Sequence, residues 1–205
     1  MNRSILAIGA HPDDIEIGCG GTLIKHVASG DRVTMLIVTK GEVGPGATDQ
    51  RIAEQEKACE IMGIESLIWG NLPDCRVSLH ELALVHLIER AIKATNADTV
   101  YTHNINDSHQ DHRAVALNTM GAARQVSNVL SYDAPSSLEF RPHLYVDISD
   151  AVDKKVEALL CHASQVAASE MVDSSKVRNS AGYRGHEARV MQAEAFMANR
   201  YVMPV

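Results

Sequence analysis

Residues 4–21 read SILAIGAHPDDIEIGCGG, a short apolar run closed by a turn that carries an imidazole and two neighbouring carboxylates. An apolar run without polar alternation predicts a strand covered on both faces, from Ser4 to Ala10. A nucleotide-binding turn would want G-x-G-x-x-G at this place, and the sequence does not supply it. Outward from this stretch the pattern repeats. Thr22 to Ala28 fits a helix ending near Gly30, and Val33 to Thr39 is a second buried strand. Lys40 to Ala47 is a glycine-rich loop, after which Asp49 reads as the N-cap of a helix through Met62 with Gly63 as its stop. Ser66 to Trp69 is a strand, Leu79 to Ala94 a helix, Thr99 to Thr102 a strand, and Ser108 to about Val126 a helix. Strands near Val129 to Tyr132 and Leu144 to Ile148 follow. Asp150 reads as the cap of a helix to about Ser164, and a last helix covers about His186 to Ala198. Strands alternating with helices imply an α/β fold, a Rossmann-like three-layer sandwich with a mostly parallel sheet. Ligands of such sheets bind at the carboxyl ends of the strands, where the segments after Ala10 and near Thr102 both fall.

The whole chain, 1–205, reads as one domain, since no repeat, low-complexity tract or linker divides it. Its formal charge is -7, from 19 basic and 26 acidic residues, and no basic run is present, which argues against nucleic acid as a partner. No apolar stretch is long enough for a membrane span. Cys19, Cys59, Cys75 and Cys161 are too widely spaced for zinc knuckles or a short disulfide framework. With no cleavage site behind the first apolar run, the expectation is a cytoplasmic protein with reduced thiols.

Ten histidines are the unusual count, and several share short windows with aspartates. In His11-Pro12-Asp13-Asp14, the proline stiffens the turn and the two carboxylates must diverge. One could bind a metal while the other reaches a bound water; the plainer alternative is a helix cap. In THNINDSHQDHRAV, residues 102–114, Ser108 and Asp111 look like a capping box, so His109 opens a helix and shares a face with His112. Asp111 could accept the other ring N–H of a catalytic histidine. Two histidines and a carboxylate are the ligand set of many catalytic zinc sites, whereas magnesium or calcium would want more oxygen.

These residues resemble the LmbE/PIG-L family of zinc-dependent N-deacetylases. The likeness is carried by AHPDDIEIGCGG (10–21), R-x-x-E at Arg51 to Glu54, HQDH (109–112) and YRGHEARVMQAEAF (183–196). The resemblance implies a Rossmann-like fold with Zn2+ held by His11, Asp14 and His112. It implies Asp13 as general base and later acid, His109 oriented by Asp111 as the oxyanion stabiliser, and Arg51 as a substrate contact. Arg184 and His186 are further candidate substrate contacts. The implied substrate is an N-acetylated amino sugar, such as an N-acetylglucosamine derivative, free or in a glycoconjugate. The departure H-P-D-D-I touches no implied ligand. An alternative on the same scaffold is a zinc-dependent hydratase of a small unsaturated carboxylic acid, with Arg51 or Arg184 binding the carboxylate. A binding module with structural zinc would need neither base nor oxyanion histidine.

His26, His80, His86 and His103 read as packed or surface residues, with His103 nearest the motifs, and Trp69 reads as packing. The moderately charged helical exterior is compatible with a homo-oligomer.

Overall fold

The computed structural model describes residues 2–168 and 173–203. Its seven-stranded sheet comprises β1 (Ser4–Gly9), β2 (Arg32–Ile37), β3 (Ser66–Trp69), β4 (Thr99–Thr102), β5 (Asn128–Tyr132), β6 (Leu144–Asp147) and β7 (Ala193–Arg200). The strand order is β3-β2-β1-β4-β5-β7-β6. The first five positions pair in parallel, while β7 runs antiparallel between β5 and β6. Helices α1 (Asp14–Ala28), α2 (Thr48–Met62), α5 (Val152–Leu160), α6 (Ala163–Val166) and α7 (Ser174–Ala188) form one outer group. Helices α3 (Glu81–Thr95) and α4 (Gln110–Ala122) pack together in another, with a 3-10 turn at Val77–His80.

Strand periodicity explains the two cores. Ile5 and Ala7 of β1 join Val33, Met35 and Ile37 of β2 in one apolar cluster, which includes residues of α1 and α2. The alternate residues Leu6 and Ile8 join Leu36 and residues of α3 and α4 in the other. Every residue of β1 is buried, as its unbroken apolar run predicts.

β1 is followed on one side by β2 and β3, and on its other side lies β4. The strand order therefore reverses between β1 and β4, and the loops leaving them open a crevice at their carboxyl ends. The Ala10 N–H donates to His103 Nε2 at 3.0 Å and stitches those two loops together.

Helix α1 starts eight residues earlier than Thr22 and is broken at Cys19 (φ -145°, ψ 16°). The break is satisfied from a distance. The Glu194 carboxylate on β7 accepts the N–H groups of Gly21 (2.9 Å) and Thr22 (2.7 Å). Lys155 on α5 donates to Glu194 (2.6 Å) and to the freed Ile17 carbonyl (2.7 Å).

The C-terminal expectation needs correction. The stretch His186 to Ala198 is the end of α7 and most of β7, not one helix. α5 is preceded by Ala151 rather than capped by Asp150, which pairs with Lys25 at 2.9 Å, and it stops at Leu160.

Candidate metal centre and active site

The turn between β1 and α1 sets the site. Asp13, the residue before α1, takes φ 96°, in the left-handed region that costs a non-glycine residue about 1–3 kcal/mol. This twist separates two carboxylates adjacent in sequence. Asp14 folds back onto the turn, its Oδ2 accepting the His11 N–H at 2.7 Å. Asp13 instead lines a cleft of about 350 Å³, together with His11, Asp14, His109 and His112.

Asp14 is the hub. Its Oδ2 lies 3.3 Å from His11 Nδ1 and 3.2 Å from His103 Nε2, and its Oδ1 lies 3.3 Å from His112 Nε2. The other nitrogen of each outer histidine meets a buried carboxylate. His11 Nε2 sits 3.1 Å from Asp74 and 3.5 Å from Asp111, and His112 Nδ1 sits 3.3 Å from Asp107. A ligating histidine needs such a partner to fix its tautomer and ring plane. Ligand atoms of Asp14, His103 and His112, and of His11, His109 and His112, lie close enough to share an ion. The donor set therefore fits a cation of zinc type: imidazoles with one carboxylate, oriented from behind.

The electrostatics show crowding. Burial, and then the charge of Asp14, push the Asp13 carboxyl up to about 7. Burial works against ionised Asp14 as well, but His112 and His103 outweigh it and hold that carboxyl well below its usual range. His112 is raised to about 9 against its burial, by Asp14 and Asp107. His11 is likewise raised against burial, by Asp111, Asp14 and Asp74. His103, fully buried and stacked on His112 with ring centroids 3.9 Å apart, is lowered to about 4 by burial and by that neighbour.

His109 precedes α4 and faces the same cleft, its ring 4.5 Å from that of His112. Its Nδ1 accepts the Asp111 N–H at 3.3 Å, so the neutral ring carries its proton on Nε2. Burial and the charges of His11 and His112 lower its pKa. The structure thus differs from the expected orientation of His109 by the Asp111 carboxylate. That carboxylate, fully buried, turns to His11 and to the Val77 N–H (3.2 Å). The backbone of Asp111, not its side chain, orients His109.

Arg51 lines the cleft while both terminal nitrogens hold backbone: Nη1 donates to the Gly41 carbonyl (2.7 Å) and Nη2 to Pro12 (3.1 Å). Gly41 has φ 65°, and a Cβ there would lie 2.0 Å from the guanidinium. Glu54, the partner in R-x-x-E, accepts the Ser164 N–H (2.9 Å) and hydroxyl (2.6 Å) and so anchors α6. Arg184 stands beside an adjoining cavity, bound to Asp133 at 2.6 Å and Glu187 at 2.9 Å. His186 is exposed on α7 and lines neither space.

Sequence reasoning missed Asp74, gave Asp107 no role in the site, and read His103, though nearest the motifs, as structural. Asp74 follows β3 in the segment NLPD, at the same sheet edge as both motifs, and that position was the available signal. His103 comes directly after β4, opposite Ala10. The four cysteines are free; Cys75 lines the cleft, while Cys19 and Cys59 are buried.

The family model described as PIG-L, GlcNAc-PI de-N-acetylase, matches residues 6–123, from β1 past the end of α4, and so includes both histidine motifs. The chain belongs to the PIG-L family. The uncharacterised deacetylase YaiS of Escherichia coli (strain K12) is 34% identical over 79% of this chain and 91% of its own. Diacetylchitobiose deacetylase of Thermococcus kodakarensis is 29% identical over 80% of this chain and 70% of its own. A 4-oxalmesaconate hydratase of Pseudomonas putida is 23% identical over 80% and 74%. Among solved structures, the conserved protein TT1542 of Thermus thermophilus superposes with a TM-score of 0.88 at 26% identity, covering 99% of this chain and 97% of that one. Among the described residues, no helix is long and apolar enough to cross a membrane.

Proposed function

We propose that this PIG-L family protein hydrolyses the N-acetyl amide of an amino sugar or its conjugate, with zinc held by His11, Asp14 and His112 and with Asp13 as the base. The observation that carries this reading is the arrangement around Asp14. Two histidines each present one nitrogen to it and the other to a buried carboxylate, while neighbouring Asp13 faces the cleft. Zinc bound there would bring the pKa of a coordinated water near ~7 and polarise the amide carbonyl.

The chain's own groups supply the rest. Asp13 accepts the proton as water adds to the carbonyl carbon, then delivers it to the departing nitrogen as the C–N bond breaks. Burial favours the protonated form of this carboxyl and a cation beside it the ionised form, the balance that a group taking up and returning one proton needs. His109, neutral with its proton on Nε2, donates to the developing oxyanion. Arg51 holds the Pro12 and Gly41 carbonyls and so keeps the catalytic turn and the glycine loop in register. Sugar substrates follow from the relatives, which include the diacetylchitobiose enzyme.

The hydratase relative supports a second reading, water addition to an unsaturated acid on the same scaffold. Binding a small carboxylic acid calls for a cation beside the cleft. Arg184 is held by the carboxylates of Asp133 and Glu187, whereas Arg51 donates to two neutral carbonyls and keeps its charge, so the sugar-active relatives rather than the cations favour the deacetylase. The test is to incubate zinc-loaded protein with N-acetylated sugars and conjugates, and separately with unsaturated dicarboxylic acids. Acetate detected by mass spectrometry supports the deacetylase. Hydration of the acids without acetate from any sugar contradicts it.

A further inference from the structure

A second cavity, of about 500 Å³, lies beside the catalytic cleft, between α1, α7, β7 and the segment 133–135. Ile17, Ala134 and Pro135 border both spaces, so the cavity adjoins the cleft across these three side chains. The volume is that of a ligand site in its own right.

Its lining states what it would accept. Buried Val177, Ala181 and Ala195 give it apolar walls. Two of its cations are already neutralised. Arg184 is held by Asp133 through Nε (3.1 Å) and Nη2 (2.6 Å), and Lys155 by Glu194 (2.6 Å). An ionic occupant would compete with these pairs, of which Lys155–Glu194 is buried and Arg184–Asp133 half-buried, whereas an uncharged group leaves them intact.

We propose that this cavity is the subsite for an uncharged, partly apolar extension of the substrate beyond the acetamido sugar. The proposal rests on the deacetylase reading of the neighbouring cleft. The extension could be borne by the glycosidic oxygen or by a longer N-acyl chain, and the shared chemistry is an alkyl or alicyclic group reaching past Ile17 and Pro135.

The experiment compares N-acetylglucosamine with its hexyl glycoside and with N-hexanoylglucosamine, following release of the acid and, in parallel, saturation-transfer NMR of the hexyl protons. One hexyl compound should gain roughly tenfold or more in kcat/KM over the parent sugar, as burial of several methylene groups requires. The arm that gains identifies the source. Ser180 is exposed at the cavity, so Ser180→Trp fills the space from a position that tolerates bulk, and it should abolish both the gain and the saturation transfer. No gain in either arm, or a gain and saturation transfer that persist in Ser180→Trp, overturns the subsite. If no compound releases acid, the deacetylase reading fails, and saturation transfer alone then decides the cavity: its loss in Ser180→Trp supports the subsite, and its absence in the parent protein overturns it.

Discussion

Helix α1 carries a buried charge cluster on each side of its break, and the two are satisfied to different degrees. Beyond the break, Glu194 accepts two backbone N–H groups and Lys155, while Lys155 also reaches the Ile17 carbonyl. Each charge there has an opposite charge and a backbone partner. Before the break, Asp13 is crowded by Asp14, and His103 is stacked on His112. Carboxylates press on carboxylates and imidazoles on imidazoles, and the ionisations shift in both directions. The first cluster reads as structure. On the proposed reading, the second is held ready for a cation that replaces protons.

Breaking the ligand cluster has the largest expected effect. Replacing His112 by Ala removes one imidazole and leaves Asp14 and Asp107 without their shared partner. Metal affinity should fall by at least about 100-fold, a loss that removing a ligand's supporting partner alone can reach. Equilibrium dialysis reads it, and near-native affinity would remove His112 from the ligand set.

Lys155→Ala attacks the satisfied cluster instead. It strands the buried Glu194 carboxylate without its cation and should cost about 3–5 kcal/mol in denaturant unfolding. The protein that remains folded should still bind one metal ion. Lost metal binding with unchanged stability would reverse the roles of the two clusters.

Proton competition sharpens the contrast. His112, raised to about 9, and His11, raised as well, hold protons at neutral pH that a cation must displace. Metal affinity should therefore rise with pH between 6 and 9, by about tenfold per unit for each proton displaced. Calorimetry in buffers of different ionisation enthalpy counts those protons; a flat pH dependence would contradict the ligand assignment.

A smaller effect concerns stability. The folded-state pKa of Asp13, about 7, lies above its ordinary value of 3.8, so the folded protein holds the proton longer than the unfolded chain. That contribution is present at low pH and is lost as pH rises from about 4 to about 7. Metal-free Asp13→Asn should thus melt above the parent at pH 8 and show no such advantage at pH 4. An asparagine also tolerates the left-handed backbone at this position. An equal change at both pH values would point to packing instead.

How far the sequence could be read follows the same division between local and distant causes. The strands Ser66–Trp69 and Thr99–Thr102 have the expected bounds because their apolar character is local. β7 was unreadable in this way. AEAFMANR is rich in helix formers, and its first four residues are all buried, leaving no alternation. Pairing with β5 and β6 overrides that propensity. α7 has two glycines and little apolar periodicity; the Asp173 cap, accepting from the Ser175 and Lys176 N–H groups, marks its start.

In the site, the two motifs stood out because a turn and a helix start bring their histidines together locally. The supports of those histidines could not be read so directly. Asp74 reaches His11 from across the sheet edge, and Asp111 serves His11 rather than its neighbour His109. Glu194 and Lys155 are 39 residues apart and meet at the break in α1, which no local pattern announces.

The most direct test of the catalytic assignment is Asp13→Asn, with metal content and acetate release measured on the same preparation. The predicted result is parental metal stoichiometry and a rate of acetate release lower by about 10²–10⁴, the contribution of a positioned general base. Acetate release within twofold of the parent, with the metal still bound, would contradict it.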